Sequence, residues 1–248
     1  MIKREPLMNE EHFDKDIFLV SQATQQVTET MAQYQDQAGA YFDLLQHRSS
    51  LLYAHYSRGY PIAQTAKDLL RLLETWEKQR VADTRRLYYN SFREDLSNYV
   101  EGIGLLSLAH VLRTTPEVTN RLLICIGNEG QDLLFERLAA YIVPDVARKP
   151  ANKLLYPKAY QPLYDALDAP VAQQADLVRQ FLKGWYKGIK AVGWHDAHKG
   201  PDGGGFVGYW CWEAAGVALA FGIEDTSFRN LPYYPKDLAE FAQRHGPA

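Results

Sequence analysis

The stretch WHDAHKGPDGGGFVGYWCWEAAG, residues 194–216, gathers two histidines, two aspartates, a glycine run, a cysteine and a glutamate. Several chemistries can be drawn from it. His195 and His198 stand three apart and Glu213 follows, and imidazole and carboxylate donors of this kind bind zinc or another divalent ion. A metal-dependent hydrolase centred on His195, His198 and Glu213 is therefore the enzymatic alternative, although the spacing contains no HExxH. Cys211, His195 and Asp196 would form a nucleophile set, but a cysteine between two tryptophans is more simply a packed thiol. GPDGGG is not followed by the Lys and Ser or Thr of a phosphate loop, and no strand precedes it, which argues against nucleotide binding.

A structural use of the same residues is simpler. A helix ending near 190–193 can use His195, Asp196 and His198 to tie down the next loop, and Gly203, Gly204 and Gly205 give that loop backbone freedom before a helix at 206–222. Glu213 then shares a helix with Tyr209, Trp210, Trp212, Ala214, Ala215 and Val217. Partly buried there, it requires a donor such as Arg229, Lys187 or a tyrosine hydroxyl, because an unpaired carboxylate would be costly. Lys183, Lys187, Lys190 and Lys199 read as a solvated basic face.

The elements that must position these groups are helical. Val20, Thr24, Val27, Met31, Tyr34, Ala38, Tyr41 and Leu45 fall at alternating steps of four and three, a helical seam that is either continuous or broken near 37–39. Pro61 opens a segment with Ile62, Ala66, Leu69, Leu73, Trp76 and Arg80 on one side. A third helix is predicted over 92–112, where Gly102 and Gly104 would let a neighbouring helix approach closely. At RTTPEVTNRLL the chain breaks and restarts, with Thr115 as cap, Pro116 at the first helical position and Glu117 in the first turn. Further helices are expected at about 117–126, 130–142, 158–167, 171–190 and 206–222, and the chain resumes a helix from Pro235. Residues 141–146 and those near Leu154 are too short and interrupted to build a sheet. The prediction is an all-α protein of packed helical hairpins: a smaller N-terminal helical domain over 1–115 and a C-terminal helical domain over 116–248, sharing an interface.

At 248 residues the chain can bury a large core without staples. Its two cysteines, Cys125 and Cys211, have no framework spacing and fit a reducing compartment. The N-terminus lacks the apolar run of a secretory signal, and the longest apolar runs fall short of the ~20 residues of a spanning helix. A cytoplasmic, membrane-free protein is expected. The formal charge of −3, with Lys and Arg dispersed, argues against direct nucleic-acid binding but suits a basic protein partner. Sixteen Tyr and five Trp supply either core filling or interface anchors.

The segments WYKGIKAVGWHDAH and GYWCWEAAGVALAFGIEDTSFRNLPYYPKDL resemble the C-terminal domain of the PoNe immunity proteins (PoNi). These are bacterial helical proteins encoded beside antibacterial DNase toxins delivered by type VI or related secretion routes. The resemblance is best over residues 117–243. Residues 1–115, with YFDLLQHR and LLYAHYSRGYPI, resemble the companion N-terminal domain. It implies a cytoplasmic protein that binds the nuclease domain of its cognate toxin and blocks access to DNA, with no catalytic residues and no cofactor. The shared residues are Trp185, Tyr186, Gly188, His195, Asp196, His198, Tyr209, Trp210, Glu213, Ala214, Phe228, Arg229, Pro232, Tyr233, Tyr234 and Pro235, a fold-defining set. Acidic groups on such an inhibitor complement the positive surface of a nuclease. Asp196, Asp202, Tyr209, Glu224 and Asp225 are the candidate contacts, within an interface above ~1,000 Å².

Overall fold

The computed structural model describes residues 1–88 and 90–246. Among them lie ten α-helices and no strand, with 64% of the chain helical, so the all-α expectation holds. No helix among the described residues is long and apolar enough to cross a membrane. The chain forms two compact units, one of Met1–Tyr89 with Asp196–Tyr209 and the other of Asn90–His195 with Trp210–Ala248. The position 115/116 falls inside the second unit, in the short link between two of its helices.

In the first unit, α1 (Glu10–Thr30) starts where the Asn9 side chain accepts from the His12 N–H at 2.9 Å, with Glu10 and Glu11 in the favourable first turn. The seam beginning at Val20 does not run on unbroken. After one 3₁₀ turn at Met31–Gln33 the chain restarts as α2 (Gln37–Arg58), capped by Asp36, which accepts from the Gly39 N–H. The break falls just ahead of 37–39, where a polar cap residue outcompetes helix continuation. α2 stops at Gly59, whose N–H returns to the His55 and Tyr56 carbonyls. Pro61 then precedes α3 (Ile62–Ala82), which buries Leu69, Leu72, Leu73 and Trp76 and leaves Arg80 exposed. α2 packs against both α1 and α3.

The second unit is built around α4 (Leu96–Val111), a helix apolar on nearly every side. Tyr99, Ile103, Leu105, Leu106, Leu108 and Ala109 are wholly buried, as a central helix requires. α5 (Pro116–Ile126) begins as expected, with Thr115 accepting from the Val118 N–H and Pro116 in the first turn. Then follow α6 (Leu133–Ile142), α7 (Pro157–Asp165), α8 (Val171–Gly188), α9 (Trp212–Ala220) and α10 (Lys236–His245). α9 lies against α4, α6, α8 and α10. A Cβ at Gly216 would sit 2.4 Å from Ser107 Cβ, and one at Gly102 would sit 2.6 Å from the Phe92 ring. Gly102 therefore admits a close neighbour as expected. Gly104 does not serve that purpose, its nearest contact being Trp212 at 3.9 Å.

Candidate functional site

The stretch 194–216 divides between the two units. Residues 196–209 belong to the first, where they are pinned to the N-terminal helices by contacts far away in sequence. His12 Nε2 lies 2.8 Å from the Phe206 carbonyl, and the Ser57 hydroxyl donates to the Val207 carbonyl at 2.6 Å. The Phe206 ring is buried beside Phe13 and stands edge-on to Tyr209. Gly203 has φ +65°, and a Cβ there would sit 2.3 Å from the Met8 methyl. Glycine adopts this backbone at no steric cost and leaves room for the Met8 side chain. His198 Nδ1 and the Tyr209 hydroxyl are 2.9 Å apart, and Asp196 pairs with Lys199 at 3.0 Å.

These bonds explain a shift in the helix that follows. The expected helix start at 206 is not observed. Residues 206–211 are non-helical, because the Phe206 and Val207 carbonyls are taken by His12 and Ser57 and the Cys211 N–H donates to the Tyr233 carbonyl. α9 begins only at Trp212.

Residues 210–216 belong to the second unit, and their centre is Glu213, 1% exposed in the first turn of α9. The Tyr160 hydroxyl and the Trp185 indole N–H both donate to its Oε1, at 2.9 and 2.6 Å. The required donor is thus a tyrosine, as one of the expected options had it, together with an indole that sequence reasoning missed. Lys187 is exposed and Arg229 serves another carboxylate. Burial pushes the Glu213 carboxyl up to about 7, against hydrogen bonds that act in the opposite direction. Burial also raises the Cys211 thiol, and neighbouring Glu213 adds to it. A thiol held protonated in a closed core is no nucleophile.

Around Glu213 an aromatic cluster extends from Trp185 to Tyr233 at 5.3 Å, from Tyr233 to Tyr186 in a stacked pair, and from Tyr186 to the His195 ring at 4.2 Å. His195 Nε2 also lies 3.2 Å from the Tyr186 carbonyl. Asp225 is 3% exposed, in an ion pair with Arg229, and accepts from the Tyr234 hydroxyl at 3.1 Å. Pairing with Asp225 raises the Arg229 guanidinium, and burial followed by Asp225 raises the Tyr234 phenol. A further buried carboxylate, Asp132, caps α6 and accepts from the Phe135 and Leu155 N–H groups and the Tyr99 hydroxyl. Nothing in its local sequence distinguishes Asp132 from any other helix cap.

The expected sites are placed as follows. Tyr209 and Asp225 are each 3% exposed, the Tyr209 hydroxyl lying at His198 and the Asp225 carboxylate at Arg229 and Tyr234. Both side chains were drawn in by polar groups of their own unit. Asp202 and Glu224 are exposed and Asp196 is half-exposed. Lys183, Lys187, Lys190 and Lys199 are exposed, as a solvated face requires. Among the described residues no group of three or more His, Cys, Asp or Glu is placed to hold a metal ion. Glu213 is enclosed by Tyr160 and Trp185, and both histidines have partners within their own units.

No curated protein matches the chain. A crystal structure of protein PA2201 from Pseudomonas aeruginosa shares the fold, with a TM-score of 0.76 and 18% sequence identity over 99% of this chain and 93% of that one. Residues 130–238, which carry α6 to α9, the Glu213 cluster and the Asp225–Arg229 turn, match the model of the family described as PoNe immunity proteins (PoNi), C-terminal.

Proposed function

We propose that the chain is an immunity protein that binds and neutralises a secreted antibacterial DNase toxin by blocking its access to DNA. The observation that carries this reading is the family match over residues 130–238. The geometry accords with it: Glu213, His195 and His198, which resemble a reaction centre in the sequence, are each held by hydrogen bonds within their own unit. Asp196, Asp202 and Glu224 are the acidic residues of the candidate set that reach solvent. Carboxylates so placed would complement the cationic surface with which a nuclease holds phosphate, speed encounter and exclude DNA. Tyr209 and Asp225 would act from beneath by holding the segments that present these carboxylates.

The partner is then a nuclease domain, and neither nucleic acid nor membrane is contacted directly. The protein works in the cytoplasm, where the toxin's DNA target lies. The toxin would be of the kind delivered by type VI or related secretion. The chain divides functionally, on this reading, into an N-terminal helical part over 1–115 and a C-terminal immunity part over 116–248. Coexpression with the nuclease domain encoded beside it tests the proposal. Cell survival together with a complex that copurifies is the expected result. Death of cells that contain folded immunity protein and active toxin, with no complex, would overturn it.

A further inference from the structure

The first unit contains a cleft of about 410 Å³ among α1, α2 and α3. Ser21 and Thr24 come from α1, Arg48 and His55 from α2, and Asp68 and Arg71 from α3. Two guanidiniums in one cleft ordinarily come with carboxylates that pair with them. Here Asp68 is engaged elsewhere, its Oδ2 lying 2.7 Å from His55 Nδ1 and its Oδ1 accepting from Gln64 Nε2 at 2.9 Å. Glu74, and after it Asp68, act on Arg48 through charge alone, and among the described residues no ion pair joins Arg48 or Arg71 to a carboxylate.

Arg48 therefore carries a deficit. Its Nε is buried with no hydrogen-bond partner. A buried donor on a cation is costly to leave unmet, which makes it a specific place to look for an absent acceptor. Burial, and after it the neighbouring charge of Arg71, hold the Arg48 guanidinium below the usual arginine range. An anion between the two would relieve both effects. It would accept the unmet N–H and screen each guanidinium from the other.

We propose that this cleft binds a phosphate-class oxyanion between Arg48 and Arg71. Two guanidinium forks reaching in from different helices offer more N–H groups than the two oxygens of a carboxylate can accept, whereas the oxygens of a phosphate project in several directions and serve both. The Ser21 hydroxyl on α1 adds a donor at the third wall. Asp68 lines the same cleft, but both of its oxygens are engaged by His55 and Gln64, and against its one negative charge stand the two guanidiniums. The site belongs to the first unit and stands independently of the immunity reading.

Calorimetry and thermal unfolding of the full chain provide the test, with inorganic phosphate compared against chloride at equal ionic strength. The expected result is saturable one-to-one binding with a rise in Tm. Arg71 is exposed, so Arg71→Gln leaves the fold intact and should weaken phosphate binding about ten- to a hundredfold. Lys183→Gln, a loss of one exposed positive charge in the other unit, should leave it unchanged. Glycerol phosphate in a parallel arm distinguishes the source: tighter binding than inorganic phosphate identifies a phosphate ester as the natural ligand, and equal or weaker binding identifies the free ion. Equal phosphate responses in the parent and Arg71→Gln proteins, or acetate binding as tightly as phosphate, would overturn the proposal.

Discussion

Residues 196–209 and residues 210–216 adjoin in one stretch of the sequence and use their polar groups in opposite ways. In the first segment His198, Tyr209, Asp196 and Lys199 bond to one another, and the loop is held through its backbone by His12 and Ser57. In the second, a single carboxylate is sealed in the core and held by the Tyr160 hydroxyl and the Trp185 indole, with its own backbone N–H and the Cys211 thiol adding to them. Removing one surface bond from a loop with several anchors leaves the others in place and lets water replace the lost partner. Removing the carboxylate leaves two buried donors that water cannot reach. The difference teaches that a dense run of His, Asp, Cys and Glu need not be a reaction centre: one half fastens a loop and the other fastens a helix.

The largest effect should come from Glu213→Ala, which orphans the Tyr160 hydroxyl and Trp185 N–H and opens a cavity. A loss of about 3–5 kcal/mol is expected in urea unfolding, with Glu213→Gln losing much less because its carbonyl still accepts both bonds. A similar loss in the two variants would break the comparison.

The pH dependence sharpens it. Between pH 4.5 and 7 the folded chain keeps a proton on Glu213 that the unfolded chain has released, so this group's stabilisation is full below 4.5 and is lost as pH rises through about 7. The shift corresponds to about 3 kcal/mol. His110 works in the other direction. Burial, and then Arg113, push its imidazole down to about 4, so stability is lost as pH falls from 6.5 toward 4. The stability of Glu213→Gln minus that of the parent should therefore climb from pH 4.5 to 7 and then level off. A flat difference would contradict the sealed carboxylate.

In the loop, Gly203→Ala should cost about 1–3 kcal/mol from the positive φ and the Met8 methyl, a loss confined to backbone and packing. Tyr209→Phe removes the hydroxyl that meets both Nδ1 and the backbone N–H of His198 and should cost about 1 kcal/mol by the same urea measurement. The smallest change in stability, within about 0.5 kcal/mol, is expected for Asp202→Asn, because the residue is exposed and asparagine also tolerates its φ of +55°. Its effect should appear instead as slower, salt-sensitive association with the toxin in stopped-flow mixing.

Legibility in the sequence followed the range of the interactions. The start of α5 was readable because Thr115, Pro116 and Glu117 act within one turn. The apolar side of α3 was readable because Leu69, Leu73 and Trp76 repeat at helical spacing. The docking of 196–209 was not, since Ser57 meets Val207 across 150 positions and His12 meets Phe206 across 194. The same long-range bonds delayed α9 from 206 to Trp212. For Glu213, burial could be inferred from its apolar neighbours and so could the need for a donor, but nothing local pointed to Trp185 or Tyr160. The arginine cleft was likewise hidden, because Arg48 and Arg71 are ordinary polar positions on two separate helices until those helices pack.

On the proposed reading this chain acts by occupying a nuclease and not by turnover. This is tested most directly by titrating purified chain against a fixed concentration of toxin nuclease domain and measuring DNA cleavage. The account predicts that inhibition is complete at one chain per nuclease, does not deepen with incubation time, and persists in Glu213→Gln. Full inhibition by a small fraction of an equivalent, growing with time and lost in Glu213→Gln, would contradict it and restore a catalytic role to the buried carboxylate.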